Sequence, residues 1–257
     1  MTSPTSIPLT PVPATSTPPV DVAGTASGPS PTSPPAVTGT RRRRRGRRLA
    51  GAGFVVLCLA IGFGAPLPYF VVSWDDLAAA DQGLAAHYVD QPAPIRTALL
   101  IHAGFAGLAM VLTPVQGSSR RRWPALHRAS GRVSALAIAL GAATGLVVAQ
   151  VSYAGLSGRI GFSTLSVVWV YATWRAISGA RRGDLATHRR WAVRVMALTF
   201  AAVTLRLWVG LWVAISVAVS GTDPSVAFDQ MYVLTPFLSW IPNLVAVEWS
   251  LRRTARR

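Results

Sequence analysis

Four long apolar stretches of this chain contain no Asp, Glu, Lys or Arg: residues 49–74, 97–119, 133–158 and 230–247. A helix of about 20 apolar residues crosses the roughly 30 Å of a bilayer's hydrocarbon, so each stretch approaches or exceeds one span. Inside hydrocarbon a backbone must satisfy its own polar groups, which leaves helices and closed barrels. A barrel would read as short segments of alternating hydrophobicity, and none occur. The chain is 51% hydrophobic and only 13% charged, about half the charge of a soluble domain. These features imply an all-α integral membrane protein.

The charges that remain give the runs a direction. All 25 basic residues are Arg, and the net charge is +16. A basic balance can mean nucleic acid, anionic lipid or cytoplasmic loops, and position decides between them. The arginines gather at 41–48, Arg120–Arg132, Arg181–Arg190 and 252–257, while Asp75, Asp76, Asp81 and Asp90 follow the first apolar run and Asp223 and Asp229 precede the last. This alternation is the positive-inside pattern for six spans with both termini cytoplasmic. Nucleic-acid binding needs no such spacing and is not expected. The expected partners are the bilayer and anionic lipid at its inner leaflet.

The domains follow from the same pattern. Residues 1–48 form a Pro/Ser/Thr-rich cytoplasmic tail, expected to be disordered and ending in an Arg cluster. Residues 49–251 form a six-helix transmembrane domain, and 252–257 a basic cytoplasmic end. The apolar stretch after "RRLAGAGFVV" is longer than a cleavable signal core, so it reads as an uncleaved span, 49–72. Further spans are expected near 97–116, 133–154, 160–179, 195–217 and 231–251. The third, with "ALAIALGAATGLVVA", is rich in small residues that let helices approach closely. Pro236 and Pro242 should kink the sixth.

The fifth span holds the charge hardest to explain, Arg206. Eleven Leu, Ile, Val or Phe residues between Val195 and Val217 favour insertion by about 5 kcal/mol, against about 3 for one central Arg. Arg206 is therefore expected near mid-membrane. Helical geometry aligns it with His188 and Thr199, 18 and seven residues earlier; a lipid-facing Arg would be costly, so this stripe should face inward. Arg194 points elsewhere. The sixth span runs the opposite way, which puts Glu248, the chain's single Glu, at the depth of Arg194, and Asn243 near Arg206. The expected pairs are Glu248 with Arg194, and Asn243 with nearby carbonyls around Arg206. Structural contacts alone account equally well for such pairs.

Four histidines remain. His102 lies inside the second span, sharing a face with Thr113 and loosely with Gln116, whereas His87 precedes that span. His127 and His188 sit at one depth at the cytoplasmic boundary, as two haem ligands on facing helices would. For residues flanked by arginines, a cap or a headgroup contact is the plainer reading. The one cysteine, Cys58, excludes an internal disulfide, and neither a haem-attachment nor a zinc pattern occurs.

His102 with "LTPVQ" (112–116), "HRASGR" (127–132), "HRRWAVR" (188–194), "TLRLW" (204–208) and "WIPNLVAVE" (240–248) resemble, in order and spacing, the bacterial multi-pass membrane family catalogued as domain of unknown function 2306. The resemblance covers roughly residues 50–250 and implies a bacterial plasma-membrane location. It places the polar positions at His102, Gln116, His127, Arg132, His188, Arg194, Arg206, Asn243 and Glu248. His87 falls outside it, Ala192 replaces the usual Met, and Val133–Ser134 replace an aromatic. It carries no assigned activity.

No nucleophile with a base, paired carboxylates or phosphate-cradling loop is visible. Three readings stand. One is a redox protein resembling cytochrome b561-type bundles, in which haem b would be held by His127 and His188, with His102 as a further candidate, and Arg132 or Arg194 would lie near a propionate or quinone. Another is a transporter or anion-binding protein whose cavity is lined by Arg206 and Asn243. The third is a scaffold or assembly factor in which polar residues only fix helix packing.

Overall fold

The computed structural model describes residues 38–80 and 84–256. Of the tail expected to be disordered, residues 1–37 lie outside the described residues, whereas 38–48 are helical. The chain divides into Met1–Arg42 and Arg43–Arg257, and the packing below is that within the second unit. Among the described residues there is no strand. Four segments are long and apolar enough to cross a membrane: Leu49–Val71, Ala93–Arg120, Pro124–Ala149 and Leu185–Ser220.

The first of these segments begins in helix α1 (Thr38–Gly64) and ends in a one-turn helix, α2 (Pro68–Val71). Pro66 and Pro68 lack the N–H groups that would continue α1, so the chain turns there. Two short helices follow, α3 (Trp74–Ala80) and α4 (Leu84–Val89), in the Asp-bearing segment. Helices α5 (Ala93–Arg122) and α6 (Pro124–Ala149) form an antiparallel hairpin whose break is Trp123. The residue before a proline is pushed out of the helical region, and Trp123 accordingly has φ −136° and ψ 77°.

Small residues set how closely the hairpin and its neighbours pack. A Cβ on Gly141 would meet the Ala106 backbone N at 3.3 Å, and one on Gly107 would lie 2.9 Å from Pro66. The glycine-rich third span therefore does sit inside the bundle, against α5 and against α7 (Gly155–Arg181). Helix α7 is 27 residues long but carries Arg159, Arg175 and several Ser and Thr, and it is not among the four apolar segments. Gly183, at φ +73°, reverses the chain after α7. Asp184 then caps α8 (Leu185–Thr199), accepting a hydrogen bond from the Thr187 N–H.

The fifth apolar stretch is not one helix. Helix α8 stops at Thr199, and α9 (Ala201–Ser220) begins after Phe200, whose carbonyl accepts from both Val203 and Thr204. Gly221 at φ +61° ends α9 in the left-handed region that favours glycine. The sixth stretch is divided further than a kink, into α10 (Pro224–Tyr232), α11 (Thr235–Leu238) and α12 (Ile241–Ala255). Each of these three carries a proline in its first turn, the one place where a missing N–H costs nothing.

The central core joins Ala109 of α5, Ala137, Ile138 and Ala142 of α6, Trp169 and Ala172 of α7, Leu198, Ala201 and Trp240. A second cluster fastens α1 to the bundle through Cys58, Met110 and Val203, with Phe54 stacked on Phe200 at 5.6 Å.

Candidate functional site

The bundle holds a partly open cavity of about 260 Å³ at the end that carries α4, a little below the usual size of ligand pockets. Its walls are mostly apolar, from α1, α5, α6, α7 and α9. Polar groups converge on it from His102, Ser166, Thr199, Arg206, Tyr232 and Ser239. A larger hollow beside Trp123 is an open groove of the α5–α6 turn, lined only by Arg122–Leu126.

His102 is held by α6. Its Nδ1 lies 2.8 Å from the Gly141 carbonyl oxygen. A carbonyl only accepts, so Nδ1 carries the proton, and in the neutral ring Nε2 is an acceptor. Gly145, one turn further along α6, leaves the room the ring needs, since a Cβ there would come within 2.7 Å of Nδ1. Gln116, placed loosely on the same face of α5, also turns toward α6. Thr113 donates to Ala109 O of its own helix, and the Gln116 amide donates to Ser130 Oγ at 2.6 Å across the hairpin.

Arg206 reaches the cavity from α9, but the residue is exposed rather than turned wholly inward as its stripe was expected to be. Its Nη1 donates to Ala202 O at 2.9 Å. Among the described residues the one ion pair is Arg194 with Glu248, so no described carboxylate neutralises Arg206. Tyr232 and Tyr69 lie within its electrostatic reach, as does His102. Thr199 shares the cavity wall but is engaged: it accepts from Trp169 Nε1 at 3.0 Å and donates to Val195 O.

The expectation that Asn243 satisfies Arg206 fails. The Asn243 amide donates to Thr204 Oγ1 at 2.9 Å, Ser239 O at 3.0 Å and Ala197 O at 3.2 Å, and the residue does not line the cavity. It fastens α12 across the break at Phe200. Thr204 and Arg206 are two residues apart, about 200° around a helix, so a side chain that reaches one cannot reach the other.

Elsewhere the expected residues form separate groups. Arg194 grips Glu248 with two hydrogen bonds, Nε to Oε1 at 2.5 Å and Nη2 to Oε2 at 2.9 Å. The His127 and His188 rings meet edge to face, with centroids 6.2 Å apart. His188 Nδ1 donates to Ala176 O at 3.0 Å, while His127 Nδ1 is buried with no hydrogen-bond partner. Arg132 is exposed. His87 Nε2 donates to Val151 O at 2.7 Å and so clamps α4 over the end of α6, away from His102.

Sequence reasoning missed the cavity's other polar wall. Ser239, only 1% exposed, has a hydroxyl oxygen with no partner, and Tyr232 and Ser166 come from helices whose relative placement no periodicity reveals. One clue was present: Gly141 and Gly145, four residues apart, mark where α6 admits a bulky group from its neighbour.

Fold and composition together define an all-helical membrane protein whose bundle holds a mostly apolar cavity with a few polar groups in its wall. More specifically, residues 99–250 match the family described as predicted membrane protein, domain of unknown function 2306, and the chain belongs to that family. No curated protein and no solved structure matches it.

Proposed function

We propose that this protein binds a small, mostly apolar molecule with an anionic head group, held in the cavity with the head against Arg206. One observation carries the reading: Arg206, an exposed residue that lines the cavity, has a guanidinium with a single hydrogen bond and no counter-ion among the described residues. A cation so placed is costly unless something neutralises it, and a carboxylate or similar group entering the cavity would do so with paired hydrogen bonds. The apolar walls suit a short hydrocarbon tail. Six spans with both termini cytoplasmic fit this reading and would place the cavity in the outer half of the membrane.

The test is a titration of the purified full-length protein in detergent with octanoate, using octanol as the uncharged control. Octanoate should bind saturably and octanol far more weakly, and Arg206→Gln should weaken octanoate at least about tenfold, the effect of one charged hydrogen bond. Equal binding of octanoate by wild type and variant would rule this reading out.

A second reading draws on His127 and His188. A bond from Nδ1–H to a carbonyl, such as His188 makes to Ala176, is the support that orients ligating imidazoles, and a buried nitrogen without a partner, as in His127, calls for one. These two residues would hold a haem b through their imidazole nitrogens, and the haem would supply one-electron chemistry. Reduced-minus-oxidised absorption of protein expressed with a haem precursor tests it. A Soret band lost in His188→Phe supports haem; a colourless protein excludes it.

A further inference from the structure

The cavity presents two anchors of opposite hydrogen-bonding sense. Arg206 offers only donors. His102 has Nδ1 committed to the Gly141 carbonyl, so its neutral ring turns an acceptor, Nε2, to a cavity that it lines together with Arg206. A plain carboxylate has acceptors alone; it answers Arg206 and leaves Nε2 unsatisfied. An ammonium donor would satisfy Nε2 but would be repelled by the guanidinium. A neutral hydroxyl avoids both faults.

We infer that the ligand is a hydroxy acid with an apolar tail, its anionic group on Arg206 and its hydroxyl donating to His102 Nε2. This inference rests on the anion-binding reading above and narrows it. A site built to receive a hydroxyl discriminates against the analogue lacking one, because the protein group is then left buried and unpaired. Gly145 belongs to the same arrangement: its missing Cβ keeps the ring at the Gly141 carbonyl and so fixes which nitrogen faces the ligand.

The experiment is isothermal titration of the purified full-length protein with octanoate, 2-hydroxyoctanoate and 3-hydroxyoctanoate. At least one hydroxy acid should bind wild type about tenfold or more tightly than octanoate. His102→Phe should remove that preference while retaining octanoate binding, and Arg206→Gln should weaken all three acids together. If His102→Phe does not fold, the wild-type ratio still decides. Equal wild-type affinities for all three would overturn the hydroxyl anchor and leave the anion reading standing; binding of none would overturn both.

Discussion

Arg194 of α8 and Glu248 of α12 are joined side-on, two guanidinium nitrogens meeting two carboxylate oxygens. The Arg194 guanidinium also lies 4.6 Å from the centre of the Trp191 ring, a second contact that helps to hold the fork in place. The pair is only partly shielded, with side-chain exposures of 18% and 36%, so solvent weakens it relative to a fully buried bridge. Removing either partner should cost about 1–2 kcal/mol. In thermal unfolding in detergent, Arg194→Gln and Glu248→Gln together should lose less than the sum of the two single losses, by about 1 kcal/mol. Simple additivity would mean the contact is idle.

Gly145 should tolerate no side chain. Its Cβ would fall within 2.7 Å of His102 Nδ1 and 2.9 Å of Cε1, so the ring must swing away from the Gly141 carbonyl. Gly145→Ala is expected to lower stability by about 1–3 kcal/mol, the usual cost of overpacking, and to reduce ligand binding as well. Gly53→Ala is the control, because nothing lies within 4 Å of that position and alanine is the better helix former. Matched melting temperatures for the two variants would contradict the packing described for His102.

Much of the fold was legible because membrane insertion depends on local composition. Three of the four charge-free runs became apolar segments, whereas 230–247 is broken into short helices and the fourth segment, Leu185–Ser220, carries arginines; opposed directions at shared depth brought Arg194 to Glu248. Other features depended on breaks that the sequence does not advertise. "LTFAAV" contains neither Gly nor Pro, yet the helix stops and restarts at Phe200, and Asn243 binds there instead of at Arg206. The prolines of the sixth stretch were visible, but not that each would start a helix. The cavity was least legible, because its walls come from helices far apart in sequence.

Asp184 gives the fold a pH-sensitive joint outside the apolar segments. Its carboxylate caps α8, accepting from the Thr187 N–H at 2.9 Å, and the hydrogen bonds from the Thr187 side chain and backbone hold its pKa below the ordinary value. The folded value is lower than the unfolded one, about 3.9, so the stabilisation is complete above that pH and fades as pH falls through the folded value. Wild type and Asp184→Ala should therefore differ in melting temperature at pH 7 and converge below about pH 4. A gap that stays constant down to pH 3 would show that the charge of the cap does not matter.

The proposed orientation can be tested by labelling. Arginine-rich and Asp-bearing connections alternate along the sequence, and positive charge resists translocation, so the α3–α4 segment should face outward and the α7–α8 turn inward. Cys58 is buried and can be replaced by Ser to give a background free of native thiols. In intact cells a membrane-impermeant maleimide should then label Ala79→Cys in α3 and spare Ala186→Cys at the start of α8, with both reacting once the membrane is opened. The same result would place the cavity near the outer surface, since α4 contributes Leu84 and Tyr88 to its wall. Labelling of the two sites from one side would invert or collapse this arrangement, and a ligand would then have to arrive from the cytoplasm.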